Sequence, residues 1–239
     1  MIPQKIHYCW FGHGEMPQLA KDCIASWHKF MPDWEYKQWD ENNFDVNSTP
    51  YTREAYEAKK YAFVSDYVRL WALEREGGLY LDVDFEVYKA FDDLMNHSAF
   101  AGVEGSKHQP VMMGVCASEP QGEWVKEMLN AYQERHFIML DGALDQTTNV
   151  QFITSIMARN GFRQDGSEQD YKDLHIFPVD YFCPRLTTGE YFRTDNTYCE
   201  HMGLASWGDD KSLWKRHFKD IIGQNNMTRL IKLKRKLFG

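Results

Sequence analysis

No stretch of the 239 residues approaches the roughly 20 consecutive apolar residues of a membrane span, and residues 1–9 hold no long apolar run. The expectation is therefore a soluble or peripheral protein, cytoplasmic or resting on the inner face of the membrane. Cysteine is sparse. Cys9, Cys23, Cys116, Cys183 and Cys199 are odd in number and scattered, with no pair at zinc-ligand or redox spacing. Reduced thiols are expected, not a disulfide scaffold. Internal repeats, low-complexity blocks and Pro/Gly/Ser-rich linkers are all missing, so nothing divides the chain into several domains. The body also lacks the basic patches of a nucleic-acid binder.

What is present suits one α/β domain. Hydrophobic residues make up 43% and charged residues 26%, enough to bury a core. Aromatics reach 15%, a weak pointer to sites that need flat faces. The net charge of −8 is uneven. Residues 211–239 hold nine Lys/Arg against one acid, a net +8, which leaves −16 on the residues before them. This splits the chain into a domain over 1–210 and a basic helical tail over 211–239.

Hydrophobic pattern and breakers predict the elements. Strands are expected at Lys5 to Phe11, Glu35 to Trp39, Leu79 to Phe85, Ala99 to Val103, Val111 to Ala117, His175 to Phe177 and Thr197 to Met202. Helices are expected at Leu19 to Phe30, Glu123 to Arg135, Asn149 to Arg159, Leu213 to Ile222 and Met227 to Leu237. One long helix is expected from Arg53 to Glu76, with Thr52 as N-cap and with Gly77 and Gly78 ending it. Strands alternating with helices predict a largely parallel sheet, whose ligands bind at the carboxyl ends of the strands.

That rule singles out Asp82 and Asp84. On a continuous strand Tyr80, Asp82 and Asp84 share one face, with the carboxylates about 6.5–7 Å apart. Hard oxygen ligands suit Mg²⁺ or Mn²⁺, which keep waters and bridge substrate phosphates. A lone Asp-x-Asp arises easily by chance in an acidic chain. The helix before it adds weight: it is apolar on most sides, yet carries Asp66 and Arg69 three residues apart on one face. Buried charges are paired or put to use.

The run Ser65-Asp66-x-x-Arg69, then Tyr80-Leu-Asp82-x-Asp84, resembles the DXD sugar-binding family of retaining glycosyltransferases, which includes initiating mannosyltransferases and capsular polysaccharide enzymes and is similar to glucosylating toxins. Ile2-Pro-Gln-Lys-Ile-His-Tyr-Cys-Trp-Phe-Gly12 resembles the family's first strand, and His201-x-x-x-x-Ser206-Trp207 its late block. The resemblance implies a GT-A nucleotide-diphospho-sugar transferase sandwich, α/β, with a mostly parallel central sheet flanked by helices. It implies that Trp10 stacks on the nucleobase and that Ser65, Asp66 and Arg69 meet donor ribose, sugar or phosphate. Tyr80 would touch the nucleotide, and Asp82 would hold hydroxyls and a metal-bound water. Asp84 and His201 would ligate Mn²⁺ or Mg²⁺, and Ser206 and Trp207 would cover the diphosphate. Asn149 is a weaker match, because the Thr-Gly-Pro common there in the family is missing; Asp145 and Gln146 are the alternatives.

The expected reaction is transfer of a hexose from a nucleotide-sugar, UDP-linked by preference and GDP-linked next, to a glycan acceptor in polysaccharide biosynthesis. A glycoside hydrolase would need carboxyls facing each other across a cleft, about 5 or 6.5–9.5 Å apart. A non-catalytic carbohydrate or metal-binding module and a nucleotidyltransferase are the remaining alternatives. Residues 227–239 mix five cations with Leu230, Ile231, Leu233, Leu237 and Phe238, a composition suited to an anionic membrane surface and a lipid-linked acceptor. Deleting 227–239 should abolish sedimentation of the protein with anionic vesicles; undiminished binding would refute that role.

Overall fold

A computed structural model describes residues 1–105, 109–185, 191 and 193–203. The expected tail helices and the 210/211 boundary lie outside these residues. Among them, no helix is long and apolar enough to cross a membrane.

The chain runs β1 (Lys5–Cys9), α1 (Gln18–Phe30), β2 (Glu35–Trp39), α2 (Pro50–Glu57), α3 (Tyr61–Glu76), β3 (Gly78–Leu81) and β4 (Phe85–Val87). It continues through β5 (Ala99–Val103), β6 (Val111–Ser118), α4 (Glu123–Tyr132), α5 (Asn149–Arg159), β7 (Gln169–Tyr171), β8 (Leu174–Phe177), α6 (Val179–Phe182) and β9 (Cys199–His201). Seven strands form the main sheet in the order β2-β1-β3-β6-β5-β8-β7, and β4 and β9 form a separate antiparallel ribbon. Five of the seven, β2, β1, β3, β5 and β8, point the same way, while β6 and β7 oppose them. The mostly parallel α/β sheet expected from the sequence is therefore present.

Side-chain alternation builds two cores, one on each face of the sheet. Tyr80, Ala101, Val103, Met113 and Ile176 pack with α3, α4 and α5. Leu79, Leu81, Phe100, Val115 and Phe177 pack with α1 and α6 on the other side. Tyr80 and the following Asp82 thus face α3, as alternation requires.

Several strand and helix ends fall a few residues short of expectation, and three differences change the architecture. The long helix is broken: α2 ends at Glu57, Lys59 takes a left-handed φ of 56°, and α3 restarts at Tyr61. The N-cap is Thr49, whose hydroxyl accepts from the Thr52 N–H at 3.1 Å, and Pro50 occupies the first helical position, where no N–H is needed. Finally, the strand through the carboxylates stops at Leu81. The Phe85 N–H donates to Asp82 O at 3.1 Å, closing a turn that re-aims the chain into β4. The sequence also hid β7 and α6, which are too short to show a period.

Gly77 and Gly78 end α3 as predicted, with φ of 63° and 106°. At Gly78 a Cβ would sit 2.6 Å from Lys5 O, so the strand can enter the sheet only as glycine. His7 locks the same corner. It accepts from the Trp39 indole N–H at Nδ1 (3.1 Å), which leaves Nε2 to donate to Gly77 O (2.8 Å). Burial lowers its pKa to about 4, so it stays neutral.

α1 holds β4 in place. The Trp27 indole N–H donates to Phe85 O at 2.7 Å, and Ser26 Oγ accepts from the Val87 N–H at 2.9 Å. Trp27 is fully buried. Trp27→Ala should cost about 3–5 kcal/mol in a urea unfolding series, because it leaves a cavity and an unpaired carbonyl together. A loss under 1 kcal/mol would show that α1 does not hold the ribbon.

Candidate functional site

β1, β3 and β5 end at the same edge of the sheet, and their next residues are Trp10, Asp82 and Glu104. β6 begins at that edge with Val111. This is the carboxyl edge of the parallel strands, where the ligand is expected.

The centre of the site is Arg69. Its side chain is 4% exposed and reaches from α3 to the sheet. Nη2 donates to Asp66 Oδ1 at 2.8 Å, and Nη1 donates to Met113 O at 2.6 Å and to Asp82 Oδ2 at 3.3 Å. The guanidinium lies over the Tyr80 ring, 4.6 Å from its centroid, and the Tyr80 hydroxyl donates to Asp82 Oδ1 at 2.9 Å. Burial opposes the charge on Arg69, but Asp82, Tyr80 and Asp66 outweigh it and raise its pKa well above the usual value. The arginine is thus a fixed cation that orients both Asp82 oxygens, one directly and one through Tyr80.

Asp66 is 1% exposed, and its Oδ2 has no hydrogen-bond partner. Burial raises its pKa to about 7, against the pull of Arg69. Neither Asp66 nor Arg69 is open to solvent. The direct sugar contact expected from the sequence is therefore not presented, and both act on the site through Asp82. Tyr80, at 1% exposure, is likewise a buried support and not an open nucleotide contact.

Asp84 lies in the turn, not on the strand face shared by Tyr80 and Asp82, because the strand has already ended. The ribbon supplies its partner. β9 pairs with β4 so that His201 stands opposite Phe85, and the two rings stack at 4.8 Å. His201 Nε2 meets Asp84 Oδ2 at 2.9 Å across 117 residues of sequence, and the Met202 N–H donates to Asp84 O at 2.8 Å. Burial would lower the His201 pKa, but the hydrogen bond and charge of Asp84, with Asp82 and Glu104, raise it.

A carboxylate oxygen and an imidazole nitrogen at this spacing could contribute two donors to a divalent cation. Asp82 beside it is held by Arg69 and Tyr80. No group of three His, Cys, Asp or Glu side chains among the described residues is placed to hold a metal alone.

The other candidates fall around this centre. Trp10 follows β1 and is half-buried, its indole N–H donating to Gly14 O at 2.7 Å. Ser65 is half-buried and donates to Tyr61 O within α3. Asn149, 3% exposed, accepts from the Tyr132 hydroxyl at 3.2 Å and donates to Asp66 O at 3.4 Å, so it braces α3. Asp145 is taken by Arg135 at 2.8 Å, and Gln146 is exposed. Ser206 and Trp207 lie outside the described residues. Sequence reading missed Glu104. Its half-buried side chain sits where β5 ends; burial raises its pKa, and the charges of His201, Asp82 and Arg69 act on it. The signal was available, an acid immediately after an apolar strand.

The raised pKa of Asp66 fixes the sign of a pH effect. Between about 4 and about 7 the folded state holds a proton there that the unfolded state has released. This contribution to stability is present at low pH and is lost as pH rises through that window. Asp66→Asn removes the effect, so wild-type stability should fall relative to the variant from pH 4 to pH 7 in paired urea melts. A gap that stays level with pH would show Asp66 to be ionised throughout.

Residues 17–101 match the family described as glycosyltransferase sugar-binding region containing DXD motif. Inositol phosphoceramide mannosyltransferase 3 of Schizosaccharomyces pombe is 29% identical over 103 residues, covering 41% of this chain and 29% of that protein. An uncharacterised glycosyltransferase of Acanthamoeba polyphaga mimivirus is 26% identical over 235 residues, covering 92% of this chain and 89% of that protein. The chain spans between 20% and 29% of the length of the first three curated relatives that it matches. The solved structure of PaToxG glycosyltransferase is similar at a TM-score of 0.49 and 18% identity, over 67% of this chain and 70% of that one. Asp82-Val83-Asp84, held by Arg69 and completed by His201, falls inside the matched region, so that residues 17–101 resemble the glycosyltransferases whose sugar-binding region contains a DXD motif.

Proposed function

We propose that the protein is a metal-dependent glycosyltransferase of the GT-A type. It would transfer a hexose from a nucleotide-diphosphate sugar, UDP-linked by preference, to a glycan acceptor with retention at the anomeric carbon. The observation that carries this reading is the joining of Asp84 to His201 beside an Asp82 oriented by Arg69, all at the carboxyl edge of the sheet. A glycoside hydrolase needs two carboxyls across a cleft; here the paired group is an acid with an imidazole, and the second acid is neutralised by an arginine.

Asp84 and His201 would hold Mn²⁺ or Mg²⁺, which when bound balances the charge of the diphosphate. Asp82 would accept hydrogen bonds from ribose and sugar hydroxyls. Its two oxygens are fixed by Arg69 and Tyr80 before the donor arrives, so little reorganisation remains for the reaction. Trp10, half-buried at the end of β1, offers a flat face for the base. In the transfer step the acceptor oxygen bonds to the anomeric carbon as the bond from that carbon to the diphosphate oxygen breaks. The acceptor proton passes to the departing diphosphate. The protein's contribution is positioning. A mannosyltransferase among the relatives supports hexose as the transferred class. A role in polysaccharide biosynthesis fits a glycan acceptor.

Calorimetric titration with UDP and then GDP, each with and without Mn²⁺, tests the reading. UDP should bind more tightly with the metal, and Asp84→Ala should lower affinity and turnover on the order of 100-fold or more. Tight binding of GDP alone would keep the transferase and change the donor. No binding of either nucleotide under any metal would overturn it, as would release of pyrophosphate in place of nucleoside diphosphate.

A further inference from the structure

The segment between α4 and α5 ends in an apolar tip that has no part in the site described above. Ile138 and Met139 are 40% and 45% exposed, and Leu140 is fully exposed. Isolated exposed apolar residues are common, but three in a row at the point of a hairpin are not.

The base of this hairpin is stiff. Glu54 Oε2 accepts from the N–H groups of Phe137 and Ile138, both at 2.9 Å, and Glu54 Oε1 meets His136 Nδ1 at 2.8 Å. The Phe137 ring is buried against Phe63 and Tyr51. Arg135 donates twice to Asp145 Oδ2, at 3.0 and 2.8 Å, and once to Thr147 O at 3.0 Å. Across the hairpin the Met139 N–H donates to Ala143 O and the Asp145 N–H to Phe137 O, both at 2.8 Å. Such a base holds the tip away from the core.

Its size and place point to the occupant. Three aliphatic side chains of this kind offer on the order of 200–350 Å², well under the roughly 800 Å² per partner of a stable protein interface. A narrow convex point also offers no surface for a second copy to match. A bilayer needs neither area nor complementarity, since it takes up side chains one at a time. The hairpin stands at the carboxyl edge of the sheet. α4 begins beside Asp173 at the opposite edge, which binds the Glu123 and Trp124 N–H groups, and α5 begins at Asn149 against Asp66. Weak insertion needs a second signal, and the basic residues of 227–239 supply one in the sequence.

We propose that Ile138, Met139 and Leu140 form a membrane-docking tip that inserts into the interfacial layer of a lipid bilayer and turns the carboxyl edge of the sheet toward it. Taken with the transferase reading, on which this clause alone rests, the acceptor is a glycan or headgroup carried on a lipid anchor.

All five native cysteines are buried, so a cysteine placed at the tip can be labelled selectively. Full-length Leu140→Cys, carrying a nitrobenzoxadiazole label, is mixed with vesicles of phosphatidylcholine and of phosphatidylcholine with phosphatidylserine. Asp33→Cys, exposed between α1 and β2 at the far edge, is the control. Insertion predicts a blue shift and a several-fold rise in emission at position 140, quenching by spin-labelled lipid, and no change at position 33. Met139→Glu with Leu140→Glu should lower vesicle flotation at least several-fold while Mn²⁺-dependent UDP binding stays intact. An unchanged label at position 140 overturns the proposal, whether or not the protein floats through its tail. A shift that follows protein concentration without lipid also overturns it, in favour of self-association. The vesicle measurements need no nucleotide, so their failure is distinct from failure of the transferase reading.

Discussion

One buried guanidinium organises this protein. Arg69 leaves α3 within the core and ends among Asp66, Asp82, the Met113 carbonyl and the Tyr80 ring. An isolated cation there would be prohibitively costly. Two carboxylates and a carbonyl make it tolerable, and each comes from a different element: α3, the turn after β3, and β6. The arrangement therefore fixes the distance between helix and sheet. It also settles the direction of Asp82, which would otherwise be a mobile acid at a strand end.

The remaining polar parts follow from that anchor. Asn149 holds the α3 backbone at Asp66, and Tyr132 holds Asn149. Arg135 closes the next ring with Asp145. On the opposite face α1 holds β4 through Trp27 and Ser26, and β4 carries β9 and His201. The two cores thus deliver one acid each to the carboxyl edge. Asp82 is positioned from the α3 side and Asp84 from the α1 side.

Much of this was legible in the residues. The Asp66–Arg69 spacing on an apolar helix announced a used ion pair, the glycine pair marked the end of α3, and alternation placed Tyr80 with Asp82. The resemblance placed His201 with Asp84. Alternation failed one step later, at Asp84, because a turn between Asp82 and Phe85 leaves no mark in hydrophobic pattern; Val83 looks like any strand residue. Thr49 and Thr52 are both good caps, and only the position of Pro50 separates them. The hairpin tip was invisible for another reason. Ile-Met-Leu reads as core, and only the fold shows that Glu54 and Phe137 hold it outside.

The β4–β9 ribbon has a consequence for the order in which the protein becomes competent. Asp84 and His201 are separated by 117 residues, and neither lies in the seven-stranded sheet. Contacts so distant in sequence carry a loop-closure cost that an already ordered intervening chain lowers, which favours their forming late. During synthesis the Asp66–Arg69–Asp82 centre can assemble long before His201 has left the ribosome. A chain caught partway would hold a finished sheet and an Asp82 already paired with Arg69, but would lack the His201 contact at Asp84. The last short strand therefore acts as a completion signal: the Asp84–His201 pair waits on the arrival of three residues near the end of the described fold.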